Sequence, residues 1–464
     1  MFRITIPFSY SAERAYIISV IFNDFLGLEF EILQQKREDY LIECVECSGR
    51  ITLPDSFFPE NSEIWLKPRT LPKRPLNILN IYNYLNEADV LEERIPVIYG
   101  DNPESGSFLR LGAEHISLGL DIFGSAFFML SRYEELVNGK LDEHYRFCAE
   151  SSLAYEEGFI ERPIIDEYVE ILWLCIKKLW PAAGRRKKNG RVFITCDVDI
   201  PYEDWKKDII RGARAVIGDI TKRQSMAAAI QRIKTLVLAQ QGLFPEDANN
   251  TFEWFIEECE KAGHRAAFFF ICGGTHPKDP QYKLGELFIK RLMKRIHERE
   301  HEIGVHGSYD SFNNSYQIVK EFHRLRSICE ELGIRQNSFG NRQHYLRWDS
   351  SLTPSLLERA GASYDTTLGY HDHTGFRTGT CNDYPMWDFN TRSKLSVRER
   401  PLIMMECTVF FNRYMGLEFS ETTLKRMLNL KSICMKYGGE FVVLWHNSQF
   451  KKPEERDFFS ELIR

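Results

Sequence analysis

No stretch of this chain approaches the roughly 20 consecutive apolar residues that cross a bilayer, so a membrane-spanning protein is not expected. There is no basic excess either: 60 Lys and Arg stand against 66 Asp and Glu, a formal net charge of −6. Proteins that neutralise phosphates along a nucleic acid need the opposite balance, which argues against a nucleic-acid partner. The 11 cysteines are odd in number and follow no framework spacing, so free thiols in a reducing compartment are the simpler account. The one Cys-x-x-Cys, Cys44 and Cys47, lacks a second pair to complete a four-ligand zinc site. The first seven residues lack the basic start and apolar run of a secretory signal, and the expected location is cytoplasmic.

What is present suffices for two cores. With 464 residues, 43% of them hydrophobic, the chain exceeds one ordinary domain. The clearest seam is Pro181-Ala182-Ala183-Gly184-Arg185-Arg186-Lys187-Lys188-Asn189-Gly190, where helix breakers meet four basic residues. It divides the chain into a smaller α+β domain (1–183), a solvated linker (184–190) and a β/α domain (191–464). In the first part, residues 124–135 and 162–179 read as helices, and His115 and His144 are isolated and expected to be structural. Downstream, apolar runs of strand length at 191–199, 266–271, 302–306 and 441–446 alternate with helical stretches. A helical insertion is expected at about 202–245. Buried strands separated by helices indicate a parallel α/β sheet forming a distorted (β/α) barrel. Reacting groups in such barrels collect at the C-terminal strand ends.

Four strand ends carry suitable side chains. In Thr195-Cys196-Asp197-Val198-Asp199, alternation puts the two carboxylates on one side and Cys196 on the other, which disfavours a cysteine hydrolase. Paired carboxylates suit a metal ligand and a general base, or equally solvated caps. His301-Glu302-Ile303-Gly304-Val305-His306-Gly307-Ser308-Tyr309-Asp310 delivers His306 to a strand end and returns Asp310 to the same point, while His301 enters at the opposite, structural end. Arg342, His344, Tyr345, Arg347 and Trp348 suit a sugar pocket or a surface loop. The apolar strand Leu444-Trp445-His446 ends in a histidine placed for function.

These segments resemble the polysaccharide deacetylase family (the NodB-homology fold, carbohydrate esterase family 4) over about residues 191–450. The resemblance implies a hydrolase that removes an N- or O-linked acetyl group from a sugar in bacterial surface-polysaccharide biosynthesis. It makes Asp197 the base, Asp199 and His306 ligands of a divalent metal such as zinc, and His446 the general acid. Arg342 then holds Asp197, and the Tyr345 amide faces the oxyanion. The family's second metal histidine falls on Asp310, which favours a harder or weakly held metal, and His344 stands where the family has proline. His344, Arg347, His371, His373, Arg377 and Trp445 are expected at the substrate, with His371 and His373 as substitute ligands, and Trp387 and Asp388 as candidates for a further motif. The first 180 residues resemble the extra domain of some surface-polysaccharide members. The Asp310 departure leaves an alternative, a degenerate fold that binds a glycan or an assembly partner. The basic, helical insertion adds peripheral membrane contact, compatible with a lipid-linked glycan.

Overall fold

The computed structural model describes residues 1–58, 62–85, 90–101, 108–203, 209–244 and 247–464. Strands β1 (Phe2–Ile6), β2 (Phe30–Gln34), β3 (Asp39–Cys44) and β4 (Arg50–Pro54) open the chain. A separate antiparallel pair, β5 (Asn77–Asn80) and β6 (Arg94–Val97), follows. Strands β7 (Leu109–Leu111) and β8 (His115–Leu118) then join the first four in a mixed sheet of order β2-β1-β3-β4-β8-β7. Helices Ile122–Leu130 and Ile164–Leu179 pack with this sheet. In the second, buried Ile165, Tyr168, Leu172, Cys175 and Ile176 recur at three- and four-residue intervals and define one apolar face. Asp166 and Glu167 in its first turn and Lys177 and Lys178 in its last complement the helix dipole.

The second sheet has nine strands: β9 (Arg191–Val198), β10 (Ala266–Ile271), β11 (Glu302–Gly307), β12 (Gly340–Gln343), β13 (Tyr364–Asp365), β14 (Tyr384–Asp388), β15 (Ser393–Glu399), β16 (Leu402–Met405) and β17 (Glu440–Leu444). Their order is β14-β15-β13-β12-β11-β10-β9-β17-β16. Neighbours are parallel except the edge pair β14/β15. Among the described residues no ladder joins the edge strands β14 and β16, so the sheet is a curled half-barrel rather than a closed ring.

Two periodicity sets explain how this sheet is buried on both faces. Ile194, Cys196, Val198, Phe268, Phe270, Ile303, Val305, Val443 and Trp445 belong to the core shared with the surrounding helices. The alternate residues Phe193, Ala267, Phe269, Val442 and Leu444 form a smaller cluster on the concave face. Asp197 continues the concave series of Phe193 and Thr195, which puts a carboxylate at the end of an otherwise apolar face. Gly304 lies on the same face, where a β-carbon would come within 2.4 Å of the Phe269 ring.

The two sheets meet through charged and aromatic groups. Tyr370, Tyr384 and Trp387 from the second half enter the core of the first. Glu135 accepts two 2.8 Å hydrogen bonds from Arg377, and Asp166 accepts from Thr380 and Asn382. The basic seam is not a free linker. Arg185 pairs with Glu170, Arg186 donates to the carbonyls of Asn23 and Asp24, and Lys188 donates to Asn382. The insertion contains helices Ile209–Thr221 and Met226–Gln240, while 204–208 and 245–246 lie outside the described residues. No helix among the described residues is long and apolar enough to cross a membrane.

Candidate active site

Parallel register aligns the candidate groups. Asp197 is level with Phe269, Ile271 with His306, His306 with Arg342, and Thr195 with Leu444, two residues before His446. Asp197, His306 and His446 line one cleft of about 460 Å³, a volume within the usual range for small-ligand sites, while Arg342 lies buried beside Asp197.

Three imidazoles there share one arrangement. His306 Nδ1 lies 2.8 Å from the Arg342 carbonyl, which can only accept, so this nitrogen carries a proton and the neutral ring has its lone pair on Nε2. His344 Nδ1 lies 3.1 Å from Asp279, whose other neighbours include the Tyr309 amide at 2.8 Å. His446 Nδ1 lies 2.6 Å from Glu406. Each ring turns its Nε2 toward Asp199: 3.4 Å from His306 and 3.9 Å from His344 to one oxygen, and 3.6 Å from His446 to the other. Asp197 lies beside this group, 3.7 Å from His306 Nε2 and 3.8 Å from Arg342.

Asp199, His306 and His344 place one ligand atom each within 4.8 Å of one another. Ligands bound at ~2.0–2.2 Å around a tetrahedral zinc lie ~3.3 Å apart, close to these separations. Asp197 Oδ1, Asp199 Oδ1 and Arg342 Nη1 are buried with no hydrogen-bond partner among the described residues. Buried carboxylate oxygens in that condition are costly unless a cation or water meets them. The donor set therefore fits a divalent metal.

The electrostatics agree with the geometry. Burial alone would raise the Asp199 pKa, but nearby His306, His344 and His446 hold it below the usual carboxylate range. Burial pulls His306 down, and the carboxylates of Asp197 and Asp199 more than reverse this. His446 is likewise opposed by burial yet held well above the ordinary histidine value by Glu406. Burial pushes the Tyr345 phenol up. Burial, together with Arg146, pushes His371 down to about 3.

Several expected groups lie elsewhere. Asp310 is 63% exposed and faces Arg347 at 3.2 Å, so His344 rather than Asp310 completes the triad. The turn after β12 explains the exchange. Tyr345 and Leu346 both have positive φ, 63° and 57°, an uncommon conformation for bulky residues that brings His344 in over the cleft. Arg347 is buried between the Tyr309 and Phe312 rings and donates to the His144 carbonyl, outside the cleft lining. Arg377 is committed to Glu135 and the Gly369 carbonyl. His373 turns to the Thr374 carbonyl and the Tyr155 ring. Trp445 is fully buried, stacked on Phe450, because alternation sends it to the helix side. Trp387 packs on Tyr16 and Phe127, and Asp388 caps the Asn390 turn. His371 does line the cleft. His301 accepts from the Ala266 amide at the far end of its strand.

The sequence reading missed Glu406, Asp279, Arg146 and Lys278, and it underrated His144. Glu406 directly follows Met405 at the end of β16, so the strand-end rule held the signal for it. The other four act across the fold. Arg146 and Lys278 line the cleft, and His144 packs on Tyr345.

A family model of unknown function (DUF7033) matches residues 2–181. No curated protein matches the chain. Among solved structures, a Mycobacterium smegmatis protein described as a polysaccharide deacetylase is similar at 17% identity, covering 60% of this chain and 84% of that one, with TM-score 0.37. A mutant CE4-family pseudoenzyme with restored activity is 12% identical over 60% of this chain and 62% of its own, with TM-score 0.30. PuuE allantoinase is 11% identical over 59% and 82%, with TM-score 0.36. At such low identities and scores, none of these likenesses carries an activity over to this chain.

Proposed function

We propose that this chain is a metal-dependent hydrolase that removes an N- or O-linked acetyl group from a sugar in bacterial surface-polysaccharide biosynthesis. One observation carries the reading: three imidazoles, each held through Nδ1, turn Nε2 toward Asp199 beside the Arg342–Asp197 pair. Asp199, His306 and His344 would hold the divalent cation, zinc in the first instance given two imidazoles and a carboxylate. A bound cation would supply Lewis acidity toward the acetyl carbonyl and a more acidic water.

The chain's own groups then divide the proton work. Asp197 accepts the proton of the attacking water, with Arg342 fixing its carboxylate. His446, kept protonated by Glu406, gives a proton to the departing amine or alkoxide. The Tyr345 amide contributes a donor to the developing oxyanion, worth about 3–4 kcal/mol where such a donor is well placed. Tyr345 and Tyr414 offer aromatic faces to a sugar ring. Residues 1–183 act as an accessory unit that completes the cleft wall through Arg146.

The alternative, a degenerate glycan-binding fold, was motivated by Asp310 standing where a histidine was expected. His344, which turns a second imidazole toward Asp199, supports the hydrolase reading over it. Acetate release from a panel of N- and O-acetylated sugars, with elemental analysis of the same preparation, tests it. Bound metal with release supports the hydrolase; glycan binding without metal or release would overturn it.

A further inference from the structure

The helical hairpin 209–240 is turned inside out relative to an ordinary surface hairpin. Its inner side is built from small groups: Gly212 lies against Leu236, where a β-carbon would come within 2.5 Å, and Ala229 and Ala239 are buried. Asp219 is also buried, bridged by Arg223 and by Arg232 at 2.5 Å. The large apolar side chains instead face solvent. Met226, Ile230, Ile233 and Val237, at spacings of four, three and four, are 62%, 62%, 47% and 53% exposed. That spacing is one stripe of a helix. Ile210 and Ile217, seven residues apart on the first helix, form a second stripe at 66% and 59% exposure. Exposed apolar stripes of this kind mark an interaction site.

Charge says what the surface meets. Residues 209–240 hold six Lys or Arg against the single, internally neutralised Asp219, in a chain whose overall net charge is −6. Exposed Arg214 and Lys234 flank the two stripes, and exposed Lys222 sits at the hairpin bend. Apolar stripes edged by cations match a bilayer carrying anionic headgroups, with long basic side chains reaching the headgroups while the stripe enters the acyl boundary. A second copy of this acidic chain would present a stripe but also repeat the same local positive charge, which opposes self-pairing of the two hairpins.

We propose that the hairpin 209–240 docks this protein on an anionic membrane surface. It does so next to the catalytic cleft: Tyr202, three residues after Asp199, stacks on Phe244 at 4.4 Å beyond the hairpin, and Ile200 lines the cleft. Docking therefore holds the cleft close to the lipid surface. The docking stands on the hairpin alone and is independent of the hydrolase reading.

Co-sedimentation of the full chain with vesicles of phosphatidylcholine, alone or mixed with phosphatidylglycerol, tests this, with light scattering for mass. The wild-type chain is expected to sediment with the anionic vesicles and to release as salt rises to about 0.5 M, where charge attraction is screened within a few ångströms. Ile230→Glu with Val237→Glu abolishes binding, and these exposed positions leave the thermal transition unchanged. Should that double variant misfold, Ile230→Ala, Ile233→Ala and Val237→Ala together read the same loss without added charge. Arg214→Gln, Lys222→Gln and Lys234→Gln each weaken binding about fivefold, as expected from ~1 kcal/mol per surface cation. Three results overturn the proposal. They are no sedimentation of the wild type with anionic vesicles, equal binding by the glutamate variant, and a dimer dispersed by the glutamate variant in a chain that ignores vesicles.

Discussion

Glu406→Gln is the sharpest single perturbation of the proposed chemistry. Glu406 Oε1 receives the His446 ring at 2.6 Å, the His446 amide at 3.2 Å and the Cys407 thiol at 3.1 Å, and the residue is 2% exposed. Glutamine keeps the shape and one acceptor oxygen but removes the charge that holds His446 as an imidazolium against burial. A hydrogen bond to a charged partner contributes about 1.5–3 kcal/mol, roughly twice a neutral one. If that difference, about 0.75–1.5 kcal/mol, acts on the leaving-group step, kcat falls about 4- to 13-fold at 1.36 kcal/mol per decade. KM and metal content stay near wild type, because Glu406 does not belong to the Asp199–His306–His344 triad. Acetate release under saturating substrate, with elemental analysis of the same sample, separates the two quantities. Glu406→Asp restores part of kcat if the charge is what matters. A kcat for Glu406→Gln within about twofold of wild type would refute the assignment of His446 as an acid positioned by Glu406. A parallel loss of metal would show instead that Glu406 belongs to the ligand set.

Asp197→Asn and His446→Ala should each lower kcat at least a hundredfold with folding intact by circular dichroism, the usual scale for a lost general base or acid; near-normal turnover by either rejects the role. His344→Ala should strip bound metal, whereas Asp310→Ala should leave it unchanged, and elemental analysis giving the reverse would return the third ligand to Asp310. Burial lowers the His301 pKa to about 4, partly offset by Glu260, against an ordinary value near 6.5. The unfolded chain thus takes up this proton at a higher pH than the folded one. Stability from His301 is complete above about pH 6.5 and is lost as pH falls toward 4, by at most about 3 kcal/mol and less where water reaches Glu260. His301→Gln should flatten that part of a urea-denaturation series, and an unchanged slope would dismiss the effect. Arg377→Met should cost about 1.5–3 kcal/mol by leaving buried Glu135 with Arg132 as its remaining cation, read as a lower thermal midpoint; a loss below about 0.5 kcal/mol would show that the two halves do not depend on this pair.

The half-barrel and its chemistry were legible in the sequence to the extent that they follow from alternation along a strand. Period two fixes which of Thr195, Cys196 and Asp197 share a face, and parallel pairing then brings Asp197, His306, Arg342 and His446 to one end. The same rule applied one residue further would have removed Trp445, which alternates with Leu444 and His446 and is therefore buried among helices. Arg347 and Arg377 were out of reach for a different reason. Their partners Tyr309, His144 and Glu135 lie from 38 to 242 residues away, so no local pattern distinguishes a buried structural arginine from one that meets a ligand.

The exchange of Asp310 for His344 turns on backbone conformation rather than on residue chemistry. Both residues closely follow a strand end, Asp310 three residues after Gly307 and His344 directly after Gln343, and both offer a ligand atom. The second turn passes through two left-handed residues, Tyr345 and Leu346, that few sequences would announce. The first runs into a turn in which Ser308 receives Ser311, and it leaves Asp310 in solvent beside Arg347. A histidine missing at 310 therefore does not by itself argue for a dead site. The informative losses would be those of the groups that aim the rings: the Arg342 carbonyl behind His306, Asp279 behind His344 and Glu406 behind His446. Without such a partner an imidazole can present either nitrogen, and second-shell changes of this kind weaken metal affinity or activity about 10- to 100-fold. This chain keeps all three.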